Sequence, residues 1–162
     1  MYRRLPLLLL VLLYAPVSFA QVTVDLVRVV KSERKLMLLS GGEVVREFKV
    51  VLGGNPRGHK LYEGDKRTPE GSYTLDYKKN DSVFYKAIHI SYPNPDDLAA
   101  AKARGVRPGG QIMIHGQKMD SGRLAFLSDL IDWTNGCIAL KNEEMDELWE
   151  QITEGTKIEI LP

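Results

Sequence analysis

Two short segments carry side-chain types that could act on a substrate. Ile112-Met113-Ile114-His115-Gly116 ends an apolar run on a histidine followed by glycine. Asp132-Trp133-Thr134-Asn135-Gly136-Cys137-Ile138-Ala139-Leu140 sets the single cysteine of the chain just after a glycine, between a polar turn and an apolar run. A thiol attacks as thiolate, and a free cysteine is mostly protonated at neutral pH. A histidine within hydrogen-bond reach can take that proton. The two segments therefore predict Cys137 as a nucleophile kept anionic by His115, which acts as general base and then acid. Gly136 removes a side chain beside the sulfur, so an acyl group can approach. It also predicts free backbone N–H groups for a developing oxyanion.

The rest of the chain must position that pair. Its 162 residues suit one ordinary domain, and 44% apolar residues suffice for a core. Lys plus Arg is 22 against 21 Asp plus Glu, a formal charge of +1, which argues against a nucleic-acid partner. One cysteine excludes an internal disulfide and a zinc site built on several thiolates. No cofactor is expected. His89, His115 and Cys137 could ligate a metal by type, but their spacing matches no metal motif.

Residues 1–20 read as a secretory signal: Arg3 and Arg4, an apolar stretch from Leu5 to Tyr14, then Ser18-Phe19-Ala20 with small residues where a signal peptidase cuts. The expectation is cleavage after Ala20, a periplasmic product, and no membrane span afterwards, since the apolar run is short. Cleavage would remove two arginines and leave a formal charge of −1. Oxidants outside the cytoplasm make an unpaired Cys137 notable.

Residues 22–162 read as one mainly β domain (α+β) with two or three short helices. Apolar alternation predicts strands over 22–30, 35–39, 43–52, 72–77, 84–91, 111–115 and 157–161. Cys137 to Leu140 is apolar and extended. Asn94-Pro95-Asp96-Asp97 predicts a capped helix running to Gly105. Asn142 is expected to cap a second helix over 143–152 whose inner face carries Met145, Leu148, Trp149 and Ile152. Leu124 to Ile131 suits a short helix or an ordered loop.

In this order, the motifs resemble the L,D-transpeptidase (YkuD-type) catalytic domain, in its Gram-negative periplasmic branch. The residues that carry the resemblance are His115-Gly116, then Thr134-Asn135-Gly136-Cys137, together with the turn Thr68-Pro69-Glu70-Gly71 and the opening strands. The resemblance implies a curved mixed β-sheet or sandwich cradling Cys137 as nucleophile, with His115 as its base. It implies peptidoglycan stem peptides as substrate, a thioester acyl-enzyme, and an amine or water to resolve it. The branch also includes members that cut the link between peptidoglycan and an attached lipoprotein, so a hydrolase is an alternative. A catalytically degenerate peptidoglycan-binding module is another. Three positions depart from the common pattern: Ala139 stands where many members carry Arg, Asn135 where many carry His, and Gln117 where many carry Thr or Ser.

Around the pair, Gly116, Thr134, Gly136 and Asn135 are supporting candidates, Asn135 for the oxyanion or for orienting His115. His89 alternates with apolar residues and could face a cleft. Arg57, Lys60 and Arg67, in a basic loop with His59 and Lys66, could hold substrate carboxylates in place of the absent arginine. Trp133 could line a groove. His59 is expected to be solvated.

Overall fold

The computed structural model describes residues 23–118 and 131–162. The signal expected over 1–20, and most of the segment read as Leu124–Ile131, lie outside the described residues. Ten elements build the domain: β1 (Leu26–Val30), β2 (Lys35–Ser40), β3 (Glu43–Lys49), β4 (Gly71–Ser82), β5 (Tyr85–Ile90), α1 (Pro95–Ala103), β6 (Met113–His115), β7 (Ile138–Ala139), α2 (Asn142–Gln151) and β8 (Thr156–Leu161). All strands join one eight-stranded mixed sheet in the order β3-β2-β1-β8-β4-β5-β6-β7. Most neighbours are antiparallel, and β1–β8 and β6–β7 are parallel. The expectation of a mainly β, curved mixed sheet with short helices holds.

Alternation along the strands sets the core. In β1, Val27 and Val29 point inward. In β2, Leu36 and Leu38 do so, and in β8 Ile158 and Ile160. Phe48, Leu75, Ile88, Ile90, Ile114 and Ile138 belong to the same cluster, with Met145 and Leu148 of α2 and Ile152 just after it. Trp149 is only partly buried against that cluster, with the Lys78 and Lys86 ammonium groups over its ring.

The sheet curls enough for its two edges to meet. The chain leaving β3 bridges Val51 to Ala139 of β7, each N–H donating to the other's carbonyl oxygen (3.0 and 2.9 Å). Gly53 pairs in turn with Thr134. This closure explains why the apolar run read as a strand over 43–52 ends as β3 at Lys49: its tail serves the opposite edge. β4 continues beyond Tyr77 through an irregularity between Leu75 and Lys78, which leaves Tyr77 half-exposed while Tyr73 and Leu75 are buried.

Both helices obey their start signals, one with a change. Asn94 caps α1 through a reciprocal box with Asp97. Asn142 is the first residue of α2 rather than its cap, which is Lys141. The Asn142 side chain is used elsewhere: its Oδ1 accepts the Gln117 N–H at 2.7 Å and ties α2 to the segment after His115. No helix among the described residues is long and apolar enough to cross a membrane.

Candidate functional site

Pairing along β5, β6 and β7 assembles the site. Ala87 pairs with His115 and His115 with Ala139, so these three side chains form one row. His89 pairs with Met113. Cys137 precedes β7 by one residue, and extending the register by the two-residue period sets it beside Met113, on the face of His115. The sheet therefore brings Cys137, His115 and His89 to one face on three neighbouring strands. Alanines flank the imidazole on both sides, Ala139 among them.

His115 is 4% exposed. Its Nδ1 lies 2.6 Å from the Gly116 carbonyl oxygen. A carbonyl oxygen only accepts, so Nδ1 carries the proton and Nε2 is left as an acceptor. Phe84 stacks on the ring at 4.7 Å between centroids, and Trp133 lies at 6.0 Å. Burial lowers the imidazole's pKa below its ordinary value, against a smaller opposing effect of the Gly116 carbonyl.

The Cys137 Sγ donates to the Gln111 carbonyl oxygen at 3.6 Å. Burial pushes the thiol's pKa up, and the Met113 backbone N–H and the charge of Lys60 oppose it. Desolvation thus disfavours charge on each group taken alone, so a thiolate held in advance needs the mutual attraction of the two groups to offset it.

Glycine geometry fixes the turn before the sulfur. Gly136 has φ +124°, and a Cβ there would fall 2.6 Å from the Arg67 carbonyl oxygen. Thr134 Oγ1 accepts the Gly136 N–H at 3.1 Å and donates to the Cys137 carbonyl oxygen at 2.7 Å. The Gly136 amide is thus occupied by the turn rather than free. A Cβ at Gly116 would meet Asn142 Oδ1 at 2.5 Å and the Phe84 carbonyl oxygen at 3.1 Å, so Asn142 would have to shift from its bond to the Gln117 N–H.

The remaining candidates separate. Lys60 and Asn135 line one cleft of about 370 Å³ with Ile112, Lys66 and Gly110, and Gly136 packs against Ile112 beside it. Trp133 stands near His115. His89 stacks on Tyr77 at 4.5 Å and places Nδ1 2.7 Å from Asp76 Oδ1. Arg57 lines a different cavity of about 450 Å³ with Lys31, Arg34 and Glu70, which shares no lining residue with the Lys60 cleft. The Arg67 guanidinium bonds the His59 carbonyl oxygen at 3.3 Å, while its backbone oxygen faces Gly136. His59 is partly exposed but engaged on both nitrogens rather than free in solvent: Nδ1 accepts the Glu70 N–H and Nε2 lies 3.0 Å from Asp97 Oδ1.

Several contributors escaped the sequence reading. Phe84 gives no signal beyond being aromatic. Gln111 adopts φ +55° and offers its carbonyl to the sulfur. Asp65 accepts from Lys60 Nζ and from the N–H groups of Leu61, Tyr62 and Arg67. Among the described residues no three His, Cys, Asp or Glu side chains are grouped to hold a metal ion.

A mixed sheet whose edges meet, with a histidine on one strand and a cysteine just before the next, defines a class of thiol-bearing β domains. Residues 24–160 match the family described as YkuD, the L,D-transpeptidase catalytic domain, and the chain belongs to that family. It is 31% identical over 133 residues to YafK of Escherichia coli (strain K12), provisionally named an L,D-transpeptidase, covering 78% of this chain and 46% of that protein. It is 29% identical over 121 residues to YqjB of Bacillus subtilis (strain 168), provisionally named likewise, covering 69% and 64%. Among solved structures it resembles the helical cell shape determining protein Pgp2 of Campylobacter jejuni, with TM-score 0.67, 28% identity, and coverage of 85% of this chain and 47% of that one. The chain thus spans about half the length of YafK and of Pgp2.

Proposed function

We propose that this domain is a cysteine acyltransferase acting on peptidoglycan stem peptides. Cys137 is the nucleophile and His115 the general base and acid. What supports this reading is one observation: the Gly116 carbonyl holds the Nδ1 proton of a buried imidazole, on the strand beside Cys137, so Nε2 is the nitrogen able to take the thiol proton. Family membership supplies the substrate class.

In the first step the Cys137 S–H proton passes to Nε2 as sulfur attacks the carbonyl carbon of the diamino acid at stem position three. The peptide C–N bond breaks, a thioester forms, and the imidazolium returns the proton to the departing amine of the D-residue. In the second step an amine or water attacks the thioester, its proton goes to Nε2, and the thiol is restored. The imidazole needs only one correct tautomer. The reaction needs no cofactor. The domain is exported to the periplasm, where this substrate lies.

Intact-protein mass spectrometry after incubation with a tetrapeptide muropeptide tests the proposal. The expected adduct is the acyl part of the stem on Cys137, with the D-residue released. Cys137→Ala should lose the adduct and at least about 1,000-fold of the turnover. Turnover by Cys137→Ala at the parental rate overturns the assignment. Transfer to an added D-amino acid marks a transferase, water as sole acceptor marks a hydrolase, and release of wall-attached lipoprotein extends the leaving group from a D-residue to a protein amine.

A further inference from the structure

Lys60 is 3% exposed, yet it sits on the wall of a cleft rather than in the apolar core. Two of its ammonium N–H groups have partners: Asp65 Oδ1 at 2.8 Å and the Tyr62 carbonyl oxygen at 3.1 Å. An ammonium has three donors. Asp65 is itself fully engaged, since three backbone N–H groups also point at its carboxylate. Burial raises its pKa, but Lys60 and those N–H groups outweigh it and hold the carboxyl below the ordinary range. The aspartate is therefore a fixed anion that clamps the lysine in one position.

A buried ion pair is a poor way to stabilise a fold, because desolvation offsets most of the attraction. This one is placed where its charge reaches Cys137 and opposes the burial of the sulfur. The space beside it is kept open by glycine: Gly64, Gly109 and Gly110 line the cleft without side chains. The exposed Lys66 adds a second cation to that wall, and Glu63, the anion there, is paired with Arg107 at 3.3 Å. The wall of the cleft thus carries two cations against one carboxylate, and backbone shapes it.

Given the reaction above, on which this inference rests, the leaving D-residue carries a free carboxylate only a few bonds beyond the carbonyl that Cys137 attacks. We propose that Lys60, clamped by Asp65, anchors that carboxylate through its third N–H, and so selects stems that end in a free D-amino acid. Ala139, buried at the flank of His115, offers no charge for this task, and Arg57 lines another cavity. Lys60 is a specificity-determining residue of the acyl-donor site.

The test separates binding from chemistry. In Cys137→Ala protein, the dissociation constants of a tetrapeptide stem and of the same stem with its C-terminal carboxylate converted to carboxamide are measured by calorimetry. The carboxylate form should bind about 10- to 100-fold tighter, the range for one charge-assisted hydrogen bond. Adding Lys60→Gln should collapse that ratio to about 1, chiefly by weakening the carboxylate form. Lys60→Arg should keep a ratio well above 1. Equal affinities in the Cys137→Ala parent, or an unchanged ratio in a folded Lys60→Gln variant, overturn the proposal. If Lys60→Gln does not fold, the ammonium 15N resonance of Lys60 in the Cys137→Ala protein decides. It must shift on adding the carboxylate ligand and not the amide, and no difference between them overturns the proposal. Failure to form a thioester with intact Cys137 would instead sink the acyltransferase reading and leave this binding result standing.

Discussion

Lys31 and Lys60 are equally hidden, at 2% and 3% exposure, and both belong to the basic environment of the loop that precedes β4. Their surroundings differ. Lys31 Nζ donates to Glu70 Oε1 (2.8 Å), the Gly58 carbonyl oxygen (2.7 Å) and the Thr68 carbonyl oxygen (3.0 Å), which uses every donor it has. Burial lowers its pKa even so, against the favourable effect of Glu70. Lys60 has two protein acceptors and an open cleft. One lysine closes the loop onto the end of β1, and the other is presented to the neighbourhood of Cys137. Burial alone does not separate a structural cation from a binding one. The count of satisfied donors and what lies beyond them does.

The loop approaches the turn before Cys137 most closely where the Arg67 carbonyl faces Gly136, and the largest effect is expected there. Gly136→Ala forces an L side chain to φ +124° and drives Cβ into backbone at 2.6 Å. Strain and overpacking together predict a loss of up to about 5 kcal/mol. Chemical denaturation measures it, and a loss below about 1 kcal/mol would show that the loop yields easily and that loop and turn are not coupled through this contact.

Lys31→Met should come next. It strands the Glu70 carboxylate and two carbonyl oxygens, and breaking a buried pair of this kind costs about 3 kcal/mol. Adding Glu70→Gln should recover part of that loss, because the uncompensated anion is then gone. The contrast with Lys60 sharpens here. Lys31→Met should leave the preference for carboxylate over carboxamide stems unchanged, whereas Lys60→Gln should erase it. A shift in that preference on replacing Lys31 would mean the two cations act as one field.

Much of this was legible in the chain and some was not, for physical reasons. His115-Gly116 and Gly136-Cys137 are local patterns: a glycine beside each functional group is demanded by close approach, and such demands show in sequence. The strands around them announce themselves by alternation. The basic loop could be read as a group, but not divided, because Lys31, Glu70 and Thr68 meet only in three dimensions. His59 looked solvated for the same reason, since Asp97 comes from α1. The burial of the Cys137–His115 pair was also hidden. Residue types suggest an ion pair, whereas desolvation, which the sequence does not display, works against charge on each group.

That burial predicts the smallest effect, a pH dependence belonging to the site half of the molecule. The unfolded chain protonates His115 near its ordinary 6.5, while the folded ring, its pKa lowered by burial, resists. Above 6.5 both states hold a neutral ring and it contributes no slope. As pH falls below 6.5 the unfolded state binds more protons, so stability declines until the lower folded value is reached and is level beyond it. Urea midpoints at pH 7.5 and 5.0 should therefore drop more in the parent than in His115→Asn, which cannot titrate. His59 and His89 are common to both proteins, so the difference isolates the ring. Asp65, held below the ordinary carboxylate range, is ionised at both values. An equal drop in the two proteins would mean that His115 is as easily protonated folded as unfolded. Burial would then not oppose charge on the imidazole, and the catalytic ring would not differ in this respect from the charged, clamped Lys60.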